Sequence, residues 1–384
     1  MEENTINTNA EESSATEESD FSKFYCSLPI VTQPQLPPDI DPDRSELIIM
    51  QAKKWLNGTV LRYYFFDEDS DGRNVHLATG QTVWRPWKTT GEEKDVVRNA
   101  FKVWKDVGIG ISFQEVGSRH EAEIRIGFER KDGAWSFVGK DLVQLNLGPN
   151  DRTMNFGWDL TRHPRELDTA VHEIGHSLGF PHEHQNPIAG IVWDEDAVYA
   201  SLAKPPNEWK PEKTYYNIIR KIPPDSVQGS EWDPNSIMHY PFDPGLIKEP
   251  AQYNLTGISP TGGLSVRDKL WVKTFYPPLP NNNFPTLNLN ESVKLSISAG
   301  QQKDFSITPA ESRTYEIQTS GVSDTVVALF EKNNSELVLL AEDDDSGQDR
   351  NAYLKVELSE NKEYVLKVRL YYAQQSGETY IKIQ

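Results

Sequence analysis

The sequence predicts an α+β protein in two parts: a mixed sheet with helices that passes into an irregular segment, then a β-sandwich. Three observations carry this. Between residues 55 and 178 the apolar periodicity changes in the order strand, helix, strand, strand, strand, helix, which describes a mixed sheet with a helix beneath it. The proline-rich stretch Tyr276-Pro277-Pro278-Leu279-Pro280 then stops helical text and opens a stiff, turn-prone connector. Beyond it, six short alternating runs separated by turn residues occupy about one hundred residues, as in a sandwich.

Residues 1–45 are rich in Glu, Ser, Thr and Asn, then Pro, and cannot bury enough apolar surface to offset chain entropy. A disordered or extended acidic lead-in, a candidate propeptide, is expected there. Strand text opens at Trp55–Phe66. Val96, Val97, Ala100, Phe101, Trp104 and Val107 recur at three- and four-residue spacing, so a helix is expected over Glu92–Val107. Strands follow at Ile111–Val116, Ala122–Phe128 and Leu142–Leu147, and a helix over Glu166–Leu178. From Phe180 to about Gly263 the text is irregular and rich in proline and tryptophan; helix returns over Ser265–Phe275. The six sandwich strands are Val293–Ile297, Thr314–Thr319, Val326–Phe330, Tyr353–Leu358, Tyr364–Arg369 and Thr379–Ile383.

Composition narrows the classes of function. The chain has 384 residues, enough for two cores, and a net charge of −19. Such acidity argues against nucleic acid and anionic membranes as partners, because both call for patches of lysine and arginine. A single cysteine, Cys26, excludes an intramolecular disulfide. No run of 18 apolar residues occurs, so membrane insertion is not expected. The opening MEENTINTNAEESSATEESD lacks the basic and apolar regions of a secretory signal peptide. Secretion, by another route or with a signal that this sequence lacks, is the expectation for localisation, a cytoplasmic or injected effector the alternative, and a monomer the expected state.

The chemistry is concentrated in His172-Glu173-Ile174-Gly175-His176-Ser177-Leu178-Gly179-Phe180-Pro181-His182. Histidines at i and i+4 share one helix face, so both imidazoles reach one ion. Gly179 lets the chain leave the helix through a left-handed turn, which returns His182 as a third nitrogen ligand. Three protein ligands leave a position for water, the mark of a catalytic zinc. Zinc lowers the pKa of such a water to about 7. Glu173 is placed to take its proton and pass it to a leaving amine. The alternative, that these residues merely pack a helix, would bury three imidazoles and a carboxylate with nothing to compensate them.

This run is the metzincin zinc signature, and Ser236-Ile237-Met238-His239-Tyr240 supplies the Met-turn that accompanies it. The chain resembles the astacin family in particular, whose motif continues with Phe after the glycine and Glu after the third histidine, as at Phe180 and Glu183. The resemblance spans residues 46–282 and includes WLNGTVLRYYF, AEIRIGF and LSVRDKLWVKTFYP. It implies a zincin-like domain, a mixed sheet with an active-site helix and an irregular C-terminal subdomain, that hydrolyses peptide bonds in proteins. By the same resemblance Met238 forms an apolar floor beneath the metal. Tyr240 is a fifth ligand that swings to hydrogen-bond the tetrahedral intermediate, and Glu183 meets the new N-terminus of the processed enzyme. The strand before the active-site helix, taken as Leu142–Leu147, pairs with extended substrate. Astacins usually carry disulfides, which this chain cannot form.

Residues 283–384 resemble the bacterial pre-peptidase C-terminal domain, through Glu342-Asp343-Asp344-Asp345-Ser346-Gly347 and YVLKVRLYYAQQSGETYIKI. The acidic run offers oxygens to Ca²⁺, although a solvated turn is the preferred reading. Cys26 can cap the zinc as a thiolate, but an incidental thiol in a flexible tail is the expectation. Family propeptides more often use an aspartate, with Asp39, Asp41 and Asp43 available. His184 and His239 are expected to support the ligands rather than join them. A reading from another class is a silent protease scaffold that binds partners through its sandwich. Dead relatives lose the base or a ligand, whereas Glu173 and all three histidines are present.

Overall fold

The computed structural model describes residues 25–31, 53–77, 79–145, 147–222, 231–279, 284–298, 301–333, 336–371 and 376–384. The first part opens with β1 (Val60–Phe65), a hairpin of β2 (Gly72–His76) and β3 (Thr82–Pro86), and α1 (Gly91–Asp106). Thr90 caps α1 by accepting from the Glu93 N–H at 3.3 Å. Next come β4 (Ser112–Glu115), β5 (Ile124–Gly127), β6 (Trp135–Ser136), a helical turn α2 (Asp141–Gln144), β7 (Met154–Asn155) and α3 (Glu166–Ser177). The main sheet has the order β4-β1-β5-β7-β6, parallel except for β6, which runs antiparallel to β7 at the edge.

The expected strand over Leu142–Leu147 is not formed. Residues 141–144 make a helical turn instead, with Leu142 buried, Val143 exposed and Lys53 bridged to Asp141 at 2.7 Å. The run L-V-Q-L-N-L alternates, but Leu142 and Leu145 also stand three apart, and short apolar runs fit both periods. The sheet edge before the active-site helix is therefore Trp135–Ser136.

Buried Val97, Ala100, Phe101 and Trp104 turn one face of α1 inward, with Phe101 stacked on Tyr63 of β1 at 4.2 Å. Trp104 Nε1 donates to the Val171 carbonyl of α3 at 2.8 Å and so locks the two helices together. The C-terminus of α3 leaves carbonyls without intrahelical partners. Trp55 Nε1 donates to Ser177 O at 2.8 Å and the Tyr276 hydroxyl to Leu178 O at 2.7 Å. Residues from the two ends of this domain thus complete the central helix.

The segment after Phe180 has more local structure than its text suggests. It holds β8 (Val192–Trp193), α4 (Glu195–Leu202), α5 (Pro211–Thr214), a π-turn over Tyr215–Ile219, β9 (Ile247–Glu249) paired with β8, and α6 (Ala251–Thr256). These elements are too short to show a period. The domain closes with α7 (Val266–Phe275), where Ser265 and Asp268 form a reciprocal capping box.

Among the described residues the C-terminal part contains eight strands. They are β10 (Ser292–Ile297), β11 (Gln302–Ile307), β12 (Arg313–Ser320), β13 (Thr325–Asn333), β14 (Glu336–Asp343), β15 (Tyr353–Leu358), β16 (Tyr364–Leu370) and β17 (Gly377–Ile383). Two antiparallel sheets, β10-β17-β12-β15 and β11-β16-β13-β14, enclose one core that includes Leu295, Ile317, Leu329 and Leu366. The sandwich is as expected, with β11 and β14 added. β11 opens on three polar residues, Gln302-Lys303-Asp304, and β14 is an apolar run with Val338, Leu339 and Leu340 all exposed. Neither shows the alternation that marks a half-buried strand. Leu56 of the first part shares a buried cluster with Val326, Ala328 and Phe330, and Lys140 bridges to Glu342 at 2.8 Å.

Candidate metal centre and cleft

The expected ligands converge. His176 Nε2 lies 3.1 Å from His172 Nε2 and 3.1 Å from His182 Nε2. The helix brings the first two together, and the exit turn brings the third. That turn is a Schellman motif: Phe180 N–H donates to Gly175 O, Gly179 N–H donates to His176 O, and Gly179 has φ +97°. The Glu183 N–H, donated to Met238 O at 2.9 Å, fastens the returning chain to the Met-turn.

Backbone carbonyls fix the tautomers. His172 Nδ1 lies 2.7 Å from Ile237 O and His176 Nδ1 2.7 Å from Phe180 O. A carbonyl only accepts, so each Nδ1 carries the proton and each Nε2 presents a lone pair. Lone pairs facing one another at 3.1 Å repel and cannot hydrogen-bond, so the arrangement calls for a cation between them. Burial holds His172 at a pKa of about 4 and His176 and His182 well below the usual range, which keeps all three neutral, as ligands must be. Tetrahedral zinc with Zn–N near 2.05 Å separates its nitrogens by about 3.3 Å. The residues fit that ion.

Cys26 is the departure from expectation. Its Sγ lies 3.6 Å from His176 Nε2, and one donor atom from each of Cys26, His172, His176 and His182 lies within 4.8 Å of the others. A Zn–S bond near 2.3 Å places sulfur about 3.5 Å from a neighbouring ligand nitrogen, so the thiol stands where a fourth ligand stands. Burial, with the Glu173 carboxylate second, pushes the thiol pKa up, so a cation at the histidines is what would make it a thiolate. The sequence held a hint: Phe24-Tyr25-Cys26-Ser27-Leu28-Pro29-Ile30 is an apolar island in a polar lead-in. Asp39, Asp41 and Asp43 lie outside the described residues.

Glu173 is fully buried beside the three histidines, with the Cys26 thiol as the polar neighbour of its carboxylate. Burial pushes its pKa up to about 8. The Tyr240 hydroxyl lies 2.5 Å from His182 Nε2 and donates to the Cys26 carbonyl at 2.6 Å. Burial keeps that phenol protonated by raising its pKa well above the usual range. Met238 is buried beneath α3, where a Cβ on Gly175 would fall 2.4 Å from its sulfur. The glycine inside the motif is therefore a packing requirement. Asp268 of α7 holds the Met-turn by accepting from Ser236 Oγ at 2.7 Å and Ile237 N at 2.8 Å.

His184 stacks on His182, with centroids 5.2 Å apart, and its Nε2 donates to Asn217 O at 2.8 Å. His239 Nδ1 lies 2.7 Å from Tyr240 O. Glu183 is largely buried and accepts from the Asp233 N–H at 3.0 Å and from Asn186 at 3.2 Å. In the sandwich, the Asp343 carboxylate accepts from Ser346 and from the Tyr353 N–H, which builds a turn from the acidic run. A cavity of about 490 Å³ opens beside His172 and Glu173, between α3, the Met-turn and residues 241–262. No helix among the described residues is long and apolar enough to cross a membrane.

Comparison with known proteins agrees with this geometry. Residues 86–244 match the peptidase family described as Astacin. Karilysin of Tannerella forsythia is 29% identical over 161 residues, 38% of this chain and 29% of its own length. The chain spans less than a third of the curated relatives it matches. Myroilysin is similar in structure, with a TM-score of 0.50 and 29% identity over 60% of this chain and 98% of that one. A second myroilysin structure is 30% identical and is covered over 86% of its length. The pre-peptidase C-terminal domain of a Bacillus anthracis collagenase aligns with 28% of this chain and 99% of its own, at 13% identity and a TM-score of 0.23.

Proposed function

We propose, for a chain that belongs to the astacin family of peptidases, that it is a zinc-dependent endopeptidase caught in a latent form, with residues 25–31 of its lead-in across the active site. The observation that carries this is the convergence of three buried imidazole nitrogens beside a buried carboxylate. Zinc bound by His172, His176 and His182 would supply Lewis acidity toward the scissile carbonyl and acidify a water molecule.

The residues of the chain do the rest. Glu173, buried beside the histidines and freed of the Cys26 thiol when the lead-in leaves, takes the proton of the attacking water and returns it to the leaving nitrogen. Its raised pKa falls when a dication sits nearby, which leaves it a carboxylate able to act as base. The Tyr240 hydroxyl donates to the carbonyl oxygen as negative charge grows there. In the latent form that donor is spent on the Cys26 carbonyl, while Cys26 Sγ fills the position that water would take. Removal of the lead-in frees both. Secretion fits this reading of a protease held inactive until processed, and the sandwich would serve as an accessory module for surface or substrate binding.

The test is casein hydrolysis by the full-length chain before and after removal of the lead-in, with zinc content measured in each. A silent precursor, a cleaving product stopped by a chelator, and about one zinc per chain in both would support the reading. One zinc in both with no protein cleaved would overturn it in favour of a binding scaffold.

A further inference from the structure

Residues 25–31 of the lead-in do more than bring a sulfur to the histidines: they lie in the cleft as a bound peptide. Three of its backbone N–H groups donate to cleft acceptors, Tyr25 to Asn207 Oδ1 at 3.4 Å, Ser27 to Ala134 O at 3.0 Å and Leu28 to Asn217 Oδ1 at 2.8 Å. Ala134 immediately precedes the edge strand β6, so this bond ties Ser27 beside the sheet edge. Asn217 is fully buried, and its amide is oriented because Nδ2 donates to Lys213 O at 3.1 Å, which leaves Oδ1 facing the peptide. These contacts read backbone and would hold any extended chain.

One contact reads a side chain. The Tyr25 ring is buried in an aromatic box, 5.3 Å from Tyr240 at an edge, 5.8 Å from Phe242 in a stack and 6.3 Å from Trp209 at an edge. Trp209, Tyr240 and Phe242 are all buried and converge on the ring from two stretches of the irregular segment. The carboxylate of Asp243 bears on the Tyr25 hydroxyl. When the lead-in departs, this box loses its occupant. A buried aromatic pocket adjoining the scissile position is a specificity site, since an apolar ring gains most from entering it and a carboxylate meets both desolvation and Asp243.

We infer that the box of Trp209, Tyr240 and Phe242, filled here by Tyr25, is a substrate subsite for an aromatic side chain next to the scissile bond, with Asn217 Oδ1 holding a backbone N–H of the substrate. The inference rests on the peptidase reading, but its first test does not require turnover. In the full-length chain carrying Tyr25→Gly, N-acetyl-tyrosinamide should bind at least about tenfold tighter than N-acetyl-alaninamide, from ring burial alone. Wild type, with Tyr25 in place, should show no such binding. Trp209→Ala in the Tyr25→Gly background should abolish the difference, with Trp209→Leu as the substitute if the alanine variant does not fold. Equal binding of the two amides by folded Tyr25→Gly protein would overturn the inference.

The second test is a peptide panel cleaved by full-length Tyr25→Gly/Cys26→Ser. Peptides with Phe or Tyr beside the cut should exceed Ala and Asp peptides by about tenfold or more in kcat/KM. Asn217→Leu should raise KM with little change in kcat. Cleavage without aromatic preference would overturn the subsite and leave the peptidase reading standing. Selective binding of the tyrosine amide without any cleavage would support the subsite and overturn the peptidase reading.

Discussion

The Cys26 thiol lies 3.6 Å from His176 Nε2, although 150 residues separate them in the chain. With the Tyr240 hydroxyl on the carbonyl of the same cysteine, one residue of the lead-in engages both the metal position and the oxyanion donor. Under the proposed latency, that double contact makes Cys26 the residue on which inhibition turns.

Cys26→Ala in the unprocessed chain should therefore raise casein hydrolysis by at least about tenfold, the loss of one metal donor outweighing the backbone contacts that remain. Zinc should stay at one per chain, since the histidines are untouched. Equal silence of variant and wild type would remove the thiol from the mechanism of latency.

Glu173→Ala should keep the metal and lower kcat of the processed enzyme by about 10²–10⁴, the usual worth of a general base. Zinc analysis and steady-state kinetics on the same preparation separate the two effects. Loss of zinc would make Glu173 a structural support instead.

Tyr240→Phe keeps the ring that packs against His182 and Phe242 but removes the donor. Turnover should fall by about 10–10², less than for Glu173, with zinc retained. An unchanged rate would rule out the oxyanion role.

Gly175→Ala adds a Cβ 2.4 Å from Met238 Sδ and 3.1 Å from the Trp104 ring. The overpacked helix should lose about 1–3 kcal/mol of stability. Zinc affinity should fall with it, because the displaced turn carries His172 and His176. Wild-type melting and wild-type zinc affinity would together show that Met238 can move aside freely.

Lys54 lies 4.9 Å from the centre of the Phe275 ring, where burial and then the Arg369 guanidinium bring its pKa down to about 7. The unfolded value is near 10.4, so between these limits the unfolded chain binds a proton that the folded chain does not. Stability must then rise with pH from about 7 to about 10 through this group. Lys54→Met removes that dependence, so its advantage over wild type should be largest at about pH 6 and shrink by about pH 9 in urea unfolding. A difference independent of pH would place the effect in packing alone.

The three-histidine cluster was legible because its geometry is local. A spacing of four on a helix and a glycine exit place three imidazoles within eleven residues, and no distant contact is needed to see it. The sandwich was legible where its strands alternate, and β11 and β14 escaped because one begins with polar residues and the other exposes an apolar run. The error at Leu142–Leu147 has the same source, a run short enough to satisfy two periods at once.

Legible from the residues alone were the histidine–glutamate motif, its helix, the turn that follows and the division into an α+β part and a β part. All of these rest on periodicity and backbone chemistry within a few residues. Only the tertiary structure decided that Cys26 meets the histidines, that Trp55 and Tyr276 complete the central helix, that Trp135–Ser136 is the cleft edge, and that Tyr25 fills an aromatic box. Each of those joins residues tens to hundreds of positions apart, and such pairings are set by which buried surfaces and unpaired polar groups the whole chain brings together.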